Sequence, residues 1–150
     1  MKILITGATG FIGKHLIDFL ESINDVSIIV TSSNESNLKN IYDNRNVNII
    51  PFDIYNNLNK DLDLYKMFDR PDKLIHLAWK DLPNYMEPFH VTKNLIKDFD
   101  FLSNLIRNGL KDITITGTCF EYGIVEGELN EKMPTDPSNY YALAKDSLRQ

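Results

Sequence analysis

The sequence predicts an α/β fold, a doubly wound parallel sheet with strand order 3-2-1-4-5. Three observations carry this expectation. Short apolar runs alternate with longer amphipathic stretches along the whole chain, as in a parallel sheet with helices on both faces. The first apolar run, Lys2-Ile3-Leu4-Ile5, enters Thr6-Gly7-Ala8-Thr9-Gly10-Phe11-Ile12-Gly13 directly and then a helical pattern at His15, Leu16, Phe19 and Leu20. Right-handed crossovers leave few other ways to order such strands.

Each element has its own local signal. Strand one is expected over 2–6 and its helix over 11–22. Gly7 lets the chain leave the strand in a tight turn, Gly10 lets backbone amides approach a pyrophosphate, and Gly13 lets the helix pack closely on the strand. The amides at the helix start then face the anion, aided by the helix dipole. Strand two is expected over 26–31, and a weaker helix over 33–43 with Ser33 in the capping position. Strand three covers 47–51 and ends in Phe52-Asp53. A helix lies within 58–68, and strand four covers 73–77. A long helix over 87–108 stops at Gly109, an ordinary C-terminal signal. Its apolar residues Val91, Leu95, Phe99, Leu102 and Ile106 share one face, with Phe101 and Leu105 elsewhere, which suggests a partner helix beyond the sheet. Strand five covers 113–116. A polar loop with Gly123, Gly127, Pro134 and Pro137 precedes a last helix that opens at Ser138 or Asn139 and runs to Gln150. In such a fold ligands sit at the carboxyl ends of the strands, near the switch between strands one and four.

At 150 residues the chain is sized for a single domain, 1–150, with a sizeable core. Its 43% hydrophobic and 25% charged residues are average for a globular protein. The net charge of −5 offers no basic patch for nucleic acid. No apolar run is long enough for a membrane span and no signal segment is evident. The lone Cys119 excludes an internal disulfide framework and fits a reducing cytoplasm. His15, His76 and His90 are scattered, with no metal-ligand spacing.

Tyr141 and Lys145 stand four apart, on one face of the last helix. A free phenol ionises at about 10, and bringing it near neutrality takes about 4 kcal/mol of preferential stabilisation of the phenolate. An ammonium beside it and a positively charged nicotinamide ring supply that kind of stabilisation. An exposed helix with a chance pair is the other reading. Tyr140 is unsuited to the role, because its i+4 neighbour is Ala144.

With these residues the chain resembles the extended short-chain dehydrogenase/reductases, the NAD(P)-dependent epimerase/dehydratase group with a Rossmann-type fold, acting mostly on nucleotide sugars. The resemblance runs from Met1 to Gln150. It rests on the glycine loop, Asp53-Ile54, His76-Leu77-Ala78, Asn94, Gly117-Thr118-Cys119-Phe120-Glu121-Tyr122-Gly123, and Tyr141 with Lys145. It implies Tyr141 as general acid/base and Lys145 as the residue that tunes it and holds the nicotinamide ribose. Thr118 would hydrogen-bond the reacting oxygen. Asp53 would bond the adenine amino group, and Ile54 would line the adenine pocket. Leu77 and Ala78 would let the cofactor lie close to strand four, and Asn94 would shape the backbone of the site. Gly7, Thr9, Gly10, Phe11, Ile12 and Gly13 would cradle the cofactor, with Thr31 and Ser32 at its ribose. Plainer readings stand beside these. Asp53 also suits a turn cap, His76 reads as a satisfied histidine, and Cys119 as an inert thiol. Trp79 either roofs the nicotinamide or sugar, or only packs.

Sugar 4,6-dehydratases of this family need an acidic pair directly after the threonine, where this chain has Cys119 and Phe120. Glu121 comes one place late and would point elsewhere if the strand continued. Dehydration is therefore disfavoured. The resemblance leans to a reductase of a 4-keto-6-deoxy sugar nucleotide, of the kind found in surface-polysaccharide biosynthesis, with a 4-epimerase or a non-catalytic dinucleotide-binding module as alternatives. The end of strand two, Thr31-Ser32-Ser33-Asn34, has no acid before Glu35, which favours NADP(H) over NAD(H). The expected partner is a nucleotide-sugar substrate, with neither nucleic acid nor membrane. Family members also carry a C-terminal half that builds much of the sugar site, so the sequence reads as the cofactor-binding part, truncated before the substrate-binding part. A homodimer through the 87–108 and 139–150 helices, or a missing C-terminal half, would cover the remaining apolar surface.

Overall fold

The computed structural model describes residues 1–59 and 61–150; Lys60, inside the stretch 58–68 where a helix is expected, lies outside the described residues. The chain forms two compact units, residues 1–78 with 100–116 and residues 79–99 with 117–150.

The first unit holds the sheet. Strands β1 (Lys2–Thr6), β2 (Ser27–Thr31), β3 (Asn48–Ile49), β4 (Lys73–His76) and β5 (Asp112–Ile115) are all parallel, in the order β3-β2-β1-β4-β5. This is the Rossmann-type order that the crossover rule predicts. β1 is central, and Ile3, Leu4 and Ile5 are buried. Alternation sends successive side chains to opposite faces. On one face Ile3 and Ile5 join Ile28 and Val30, covered by Ile17 and Leu20 of α1 (Phe11–Glu21) and Leu38 and Tyr42 of α2 (Glu35–Tyr42). Elsewhere in this unit the Phe68 ring meets the rings of Phe52 and Phe101, and His76 stacks on Phe101 with centroids 5.6 Å apart.

Several boundaries differ from expectation, each for a local reason. α2 is capped by Asn34, not Ser33: the Asn34 carboxamide oxygen accepts from the Asn37 amide at 2.9 Å. β3 has only two ladder residues, although Ile50 and Phe52 still donate to Val30 and Ser32; Pro51 between them has no N–H to give. The helix sought within 58–68 is one turn, α3 (Leu64–Met67), opened by Asp63 accepting from the Lys66 amide. The long helix does not start at 87. A π-helical turn, His90–Asn94, leads into α4 (Leu95–Arg107). A π turn holds extra chain per turn and so rotates the later residues relative to an unbroken α-helix. The buried face of α4 is Asp98, Phe101, Leu102 and Leu105, with Leu102 at its edge; Phe99 and Ile106, expected beside Leu102, fall on the neighbouring stripe and are exposed together with Ile96.

In the second unit α5 (Tyr140–Arg149) starts on Asn139, whose side chain accepts from the Ala142 amide at 2.8 Å. Its inner face carries Tyr141, Ala142, Ala144 and Lys145, and packs on the π turn. After Thr118 the chain does not continue as a strand; Cys119–Tyr122 is a short 3₁₀ turn.

One buried bond fastens the glycine loop to the helical layer: the Tyr42 hydroxyl donates to the Ala8 carbonyl at 2.7 Å. Tyr42→Phe leaves that carbonyl without its partner. It should lower unfolding stability by about 1–2 kcal/mol, read as a shift in the urea midpoint with an unchanged slope.

Candidate active site

In the first unit the carboxyl end of β1 is a place of unusually close backbone approach. Gly7 has φ of +66°, and a Cβ there would come within 2.9 Å of the Ala78 nitrogen and the Leu77 carbonyl carbon. A Cβ at Gly13 would stand 2.5 Å from the Gly7 oxygen. Gly10 differs: it is exposed, and its Cβ would meet only the Gly7 oxygen, at 3.2 Å. The Thr6 hydroxyl accepts from the Leu77 and Ala78 amides at 3.1 and 3.2 Å and lies 2.9 Å from Nδ1 of buried His76. With both lone pairs of the oxygen engaged, its proton goes to the ring. His76 is thus a satisfied histidine.

Gly7, Gly10, Phe11, Ile12, Gly13, Leu77 and Thr116 line a concavity of about 300 Å³ at the start of α1. No side chain caps that helix, so its first amides face outward without intrahelical acceptors. Backbone walls that a Cβ would fill, together with an uncapped helix start, fit the pyrophosphate of a dinucleotide. Of the neighbouring candidates, the Thr9 and Ser32 hydroxyls bond each other at 3.1 Å. Thr31 Oγ1 is buried without a partner among the described residues. Asp53 accepts from the Tyr55 and Asn56 amides and from the Asn56 side chain, so it caps its turn and still has lone-pair capacity. Ile54 is buried beside it in sequence.

The second unit brings together Trp79, Asn94, Thr118, Tyr141 and Lys145. Tyr141 is 9% exposed and Tyr140 43%, which separates the two tyrosines as the spacing expects. The Tyr141 phenol shares a hydrogen bond with the Thr118 hydroxyl. Its ring meets Trp79 edge-on at 5.8 Å and lies near Tyr85 and His90, each at 5.5 Å. Lys145, only 3% exposed, places its ammonium over the Trp79 ring, 4.7 Å from the centroid.

The electrostatics of the chain by itself do not include the nicotinamide ring. Burial raises the Tyr141 phenol above its ordinary value, and the bond from Thr118 only partly offsets this. Lys145 does not act as the lowering influence in the chain by itself. Its own affinity for a proton is reduced by burial, against the pull of Asp98 and Glu121. A low-dielectric pocket disfavours both charged forms, so the phenol keeps its proton and the lysine holds its own less firmly than in water.

Four contributors escape a reading of the sequence. Glu121 does not point away: the 3₁₀ turn brings its carboxylate back to accept the Thr118 amide at 2.8 Å, a capping box that fixes the threonine. The spacing Thr-x-x-Glu is the signal that marks it. His90, Tyr85 and Thr116 carry no local pattern that points to a site. Cys119 is exposed. Among the described residues no cluster of His, Cys, Asp or Glu is placed to hold a metal, and no helix is long and apolar enough to cross a membrane.

The sequence and the fold have counterparts among known proteins. The family model described as NAD dependent epimerase/dehydratase family matches residues 3–150. The chain belongs to that family. It is 31% identical over its whole length to a dTDP-6-deoxy-L-talose 4-dehydrogenase (NAD(+)) of Aggregatibacter actinomycetemcomitans, covering 53% of that protein. It is 29% identical, over 99% of its length, to a GDP-6-deoxy-D-talose 4-dehydrogenase of the same organism, covering 46%. Among solved structures it resembles the UDP-glucuronic acid 4-epimerase of Bacillus cereus in complex with NAD, with a TM-score of 0.79, 27% identity, and 99% and 50% of the two chains covered. The chain spans about half the length of the relatives it matches.

Substitutions in the loop and at the buried lysine have distinct expected effects. Gly10→Val brings its Cβ to a tight 3.2 Å from the Gly7 oxygen and obstructs the loop. It should lower the melting temperature slightly and weaken dinucleotide binding by about tenfold or more, read by fluorescence titration; Gly13→Ala should lower the melting temperature more. Lys145 has a folded proton affinity below its unfolded one, so its stabilising contribution exists above its ordinary ionisation and is lost as pH falls. At neutral pH the buried charge therefore opposes folding. Lys145→Met should raise the melting temperature there by roughly 2–4 °C, and the gain should shrink towards pH 10.

Proposed function

We propose that this chain is the cofactor-binding part of an NAD(P)-dependent reductase that acts on the 4-keto group of a 6-deoxy sugar nucleotide. The observation that carries the reading is the buried Tyr141 phenol, hydrogen-bonded to Thr118 and held in its protonated form. Reduction of a ketone needs a proton donor at the oxygen, and a phenol kept neutral by burial is one. The two talose 4-dehydrogenases among its relatives are named for the reverse chemistry at the same carbon. A bound dinucleotide supplies the hydride.

The chain's own residues have separate tasks in this scheme. The backbone at Gly7, Gly10 and Gly13 and the start of α1 take the pyrophosphate, with Phe11, Ile12, Leu77 and Ala78 around it. Thr9, Thr31 and Ser32 lie towards one ribose, and Asp53 and Ile54 towards the adenine. Tyr141 gives its proton to the sugar oxygen as the carbonyl carbon becomes tetrahedral, and the Thr118 hydroxyl holds that same oxygen. Lys145 holds the nicotinamide ribose and biases the phenol, Trp79 flanks the pair, and Asn94 shapes the backbone. Glu121 is engaged with the Thr118 amide, and Cys119 and Phe120 bring no acid, which argues against elimination of water. A 4-epimerase of the same family is the second reading, favoured by the likeness to the UDP-glucuronic acid 4-epimerase.

The preference for NADP(H) rests on the hydroxyl-rich end of β2, where no carboxylate precedes Glu35; NAD appears in the names of the relatives. NADPH should therefore quench Trp79 emission at lower concentration than NADH, and the opposite order reverses the assignment. The exposed Ile96, Phe99, Ile106 and Leu143 are proposed to meet a second copy or the C-terminal half, so light scattering of the full-length protein should give a dimer mass. In that protein Tyr141→Phe should lower kcat by at least about a hundredfold with dinucleotide affinity retained. Unchanged turnover would sink the reductase and epimerase readings together.

A further inference from the structure

The π-helical turn His90–Asn94 puts a fully buried histidine beneath the candidate catalytic pair. Both ring nitrogens of His90 are engaged. Nδ1 faces the Trp79 indole N–H at 3.0 Å and the Asn94 side-chain NH₂ at 3.4 Å. Nε2 lies 2.9 Å from the Asn84 carbonyl oxygen. Asn94 cannot be turned round to suit the opposite arrangement, because the same NH₂ donates to the Lys80 carbonyl at 3.0 Å. Two donors at Nδ1 and an acceptor at Nε2 leave one satisfied state, the neutral ring with its proton on Nε2. In that state the indole is gripped at its one polar atom. Its face then lies under the Lys145 ammonium, and the Tyr141 ring stands edge-on to it.

We infer that His90 and Trp79 are a positioning pair for the reaction: His90 fixes the indole, and the indole seats Lys145 and Tyr141 in their working geometry. This rests on the reductase reading for its catalytic half only. Neither residue transfers a proton to substrate. A desolvated ammonium regains from an aromatic face part of what it has lost from water, and an indole free to turn would offer its edge instead. Tightly set aromatic contacts also hold the phenol where the Thr118 hydroxyl reaches it.

The pair brings a built-in acid sensitivity. A proton added at Nδ1 would face two N–H donors, so the grip on Trp79 is lost when His90 is charged. The other ionisable groups around the seat are Tyr141 and Lys145 on α5, Asp98 on α4, Glu121 in the 3₁₀ turn, Arg149 paired to Glu121, and Tyr85 in the loop before the π turn. The indole nitrogen itself donates to His90.

Trp79 is the single tryptophan of the chain, so its emission reads the seat directly. In the 150-residue chain, acidification short of unfolding (checked by circular dichroism) should produce a one-proton step in emission. His90→Asn keeps an amide oxygen near Nδ1 but does not titrate, and it should abolish the step. In the full-length protein, turning over a 4-keto-6-deoxy sugar nucleotide, His90→Leu and Trp79→Leu should each lower kcat by about tenfold, with KM for sugar and dinucleotide within about threefold of wild type. His90→Asn should recover most of that loss and flatten the acid limb of the pH profile. An emission step shared by wild type and His90→Asn, or a loss that falls on KM with kcat intact, overturns the proposal. An emission step specific to His90 in a full-length protein that reduces no such sugar overturns the reductase reading and leaves the indole grip standing.

Discussion

The fold of the first unit depends on one steric fact, the contact of backbone with backbone at the carboxyl end of β1. Gly7 lies against Leu77 and Ala78, and Gly13 lies against Gly7, at separations no Cβ tolerates. That closeness lets α1 begin where β1 ends, and lets the Thr6 hydroxyl bridge to the amides after β4. The ladder pairs of β1 with both neighbours stay in register up to this point. An anion site arises from the same geometry, since amides that cannot be satisfied inside the helix are left facing a floor without side chains.

The second unit is ruled by a different constraint, the cost of keeping ionisable groups away from water. Tyr141, Lys145, Glu121, Asp98 and His90 are all buried. The unit handles each in its own way. Glu121 takes a backbone amide and an arginine, His90 has both ring nitrogens engaged, and Lys145 lies on an aromatic face. Tyr141 stays protonated. Polar groups concentrated in this way narrow the margin of stability, and such sites are where a fold yields stability to function.

Much of the fold is legible in the sequence because it depends on local pattern. The strand order comes from alternating apolar runs and handedness, and Gly7, Gly10 and Gly13 declare their loop through spacing alone. Tyr141 is separable from Tyr140 by helix period. The features that escape depend on contacts between segments distant in sequence, or on a break of period. α4 has two apolar stripes, Phe101 with Leu105 and Phe99 with Ile106, and helix period alone does not say which of them the sheet covers. The expected lowering of the Tyr141 ionisation draws on Lys145 together with a charged nicotinamide ring, whereas in the chain by itself burial dominates and the ammonium lies over Trp79. Asn34 displaces Ser33 as a cap because either residue type suits that place, and only the backbone decides between them. His90 has no motif, and its importance is set by three partners at Trp79, Asn84 and Asn94.

The turn after Thr118 separates what must be kept from what is free to vary. Thr118 and Glu121 lock each other through two reciprocal bonds, and Cys119 and Phe120 between them look outward. An evolving lineage can exchange those two side chains without touching the lock, at the cost of the ring contact between Phe120 and Tyr85. The stretch thus holds a fixed frame and a variable pair within four residues, and change at the pair leaves the threonine already in place.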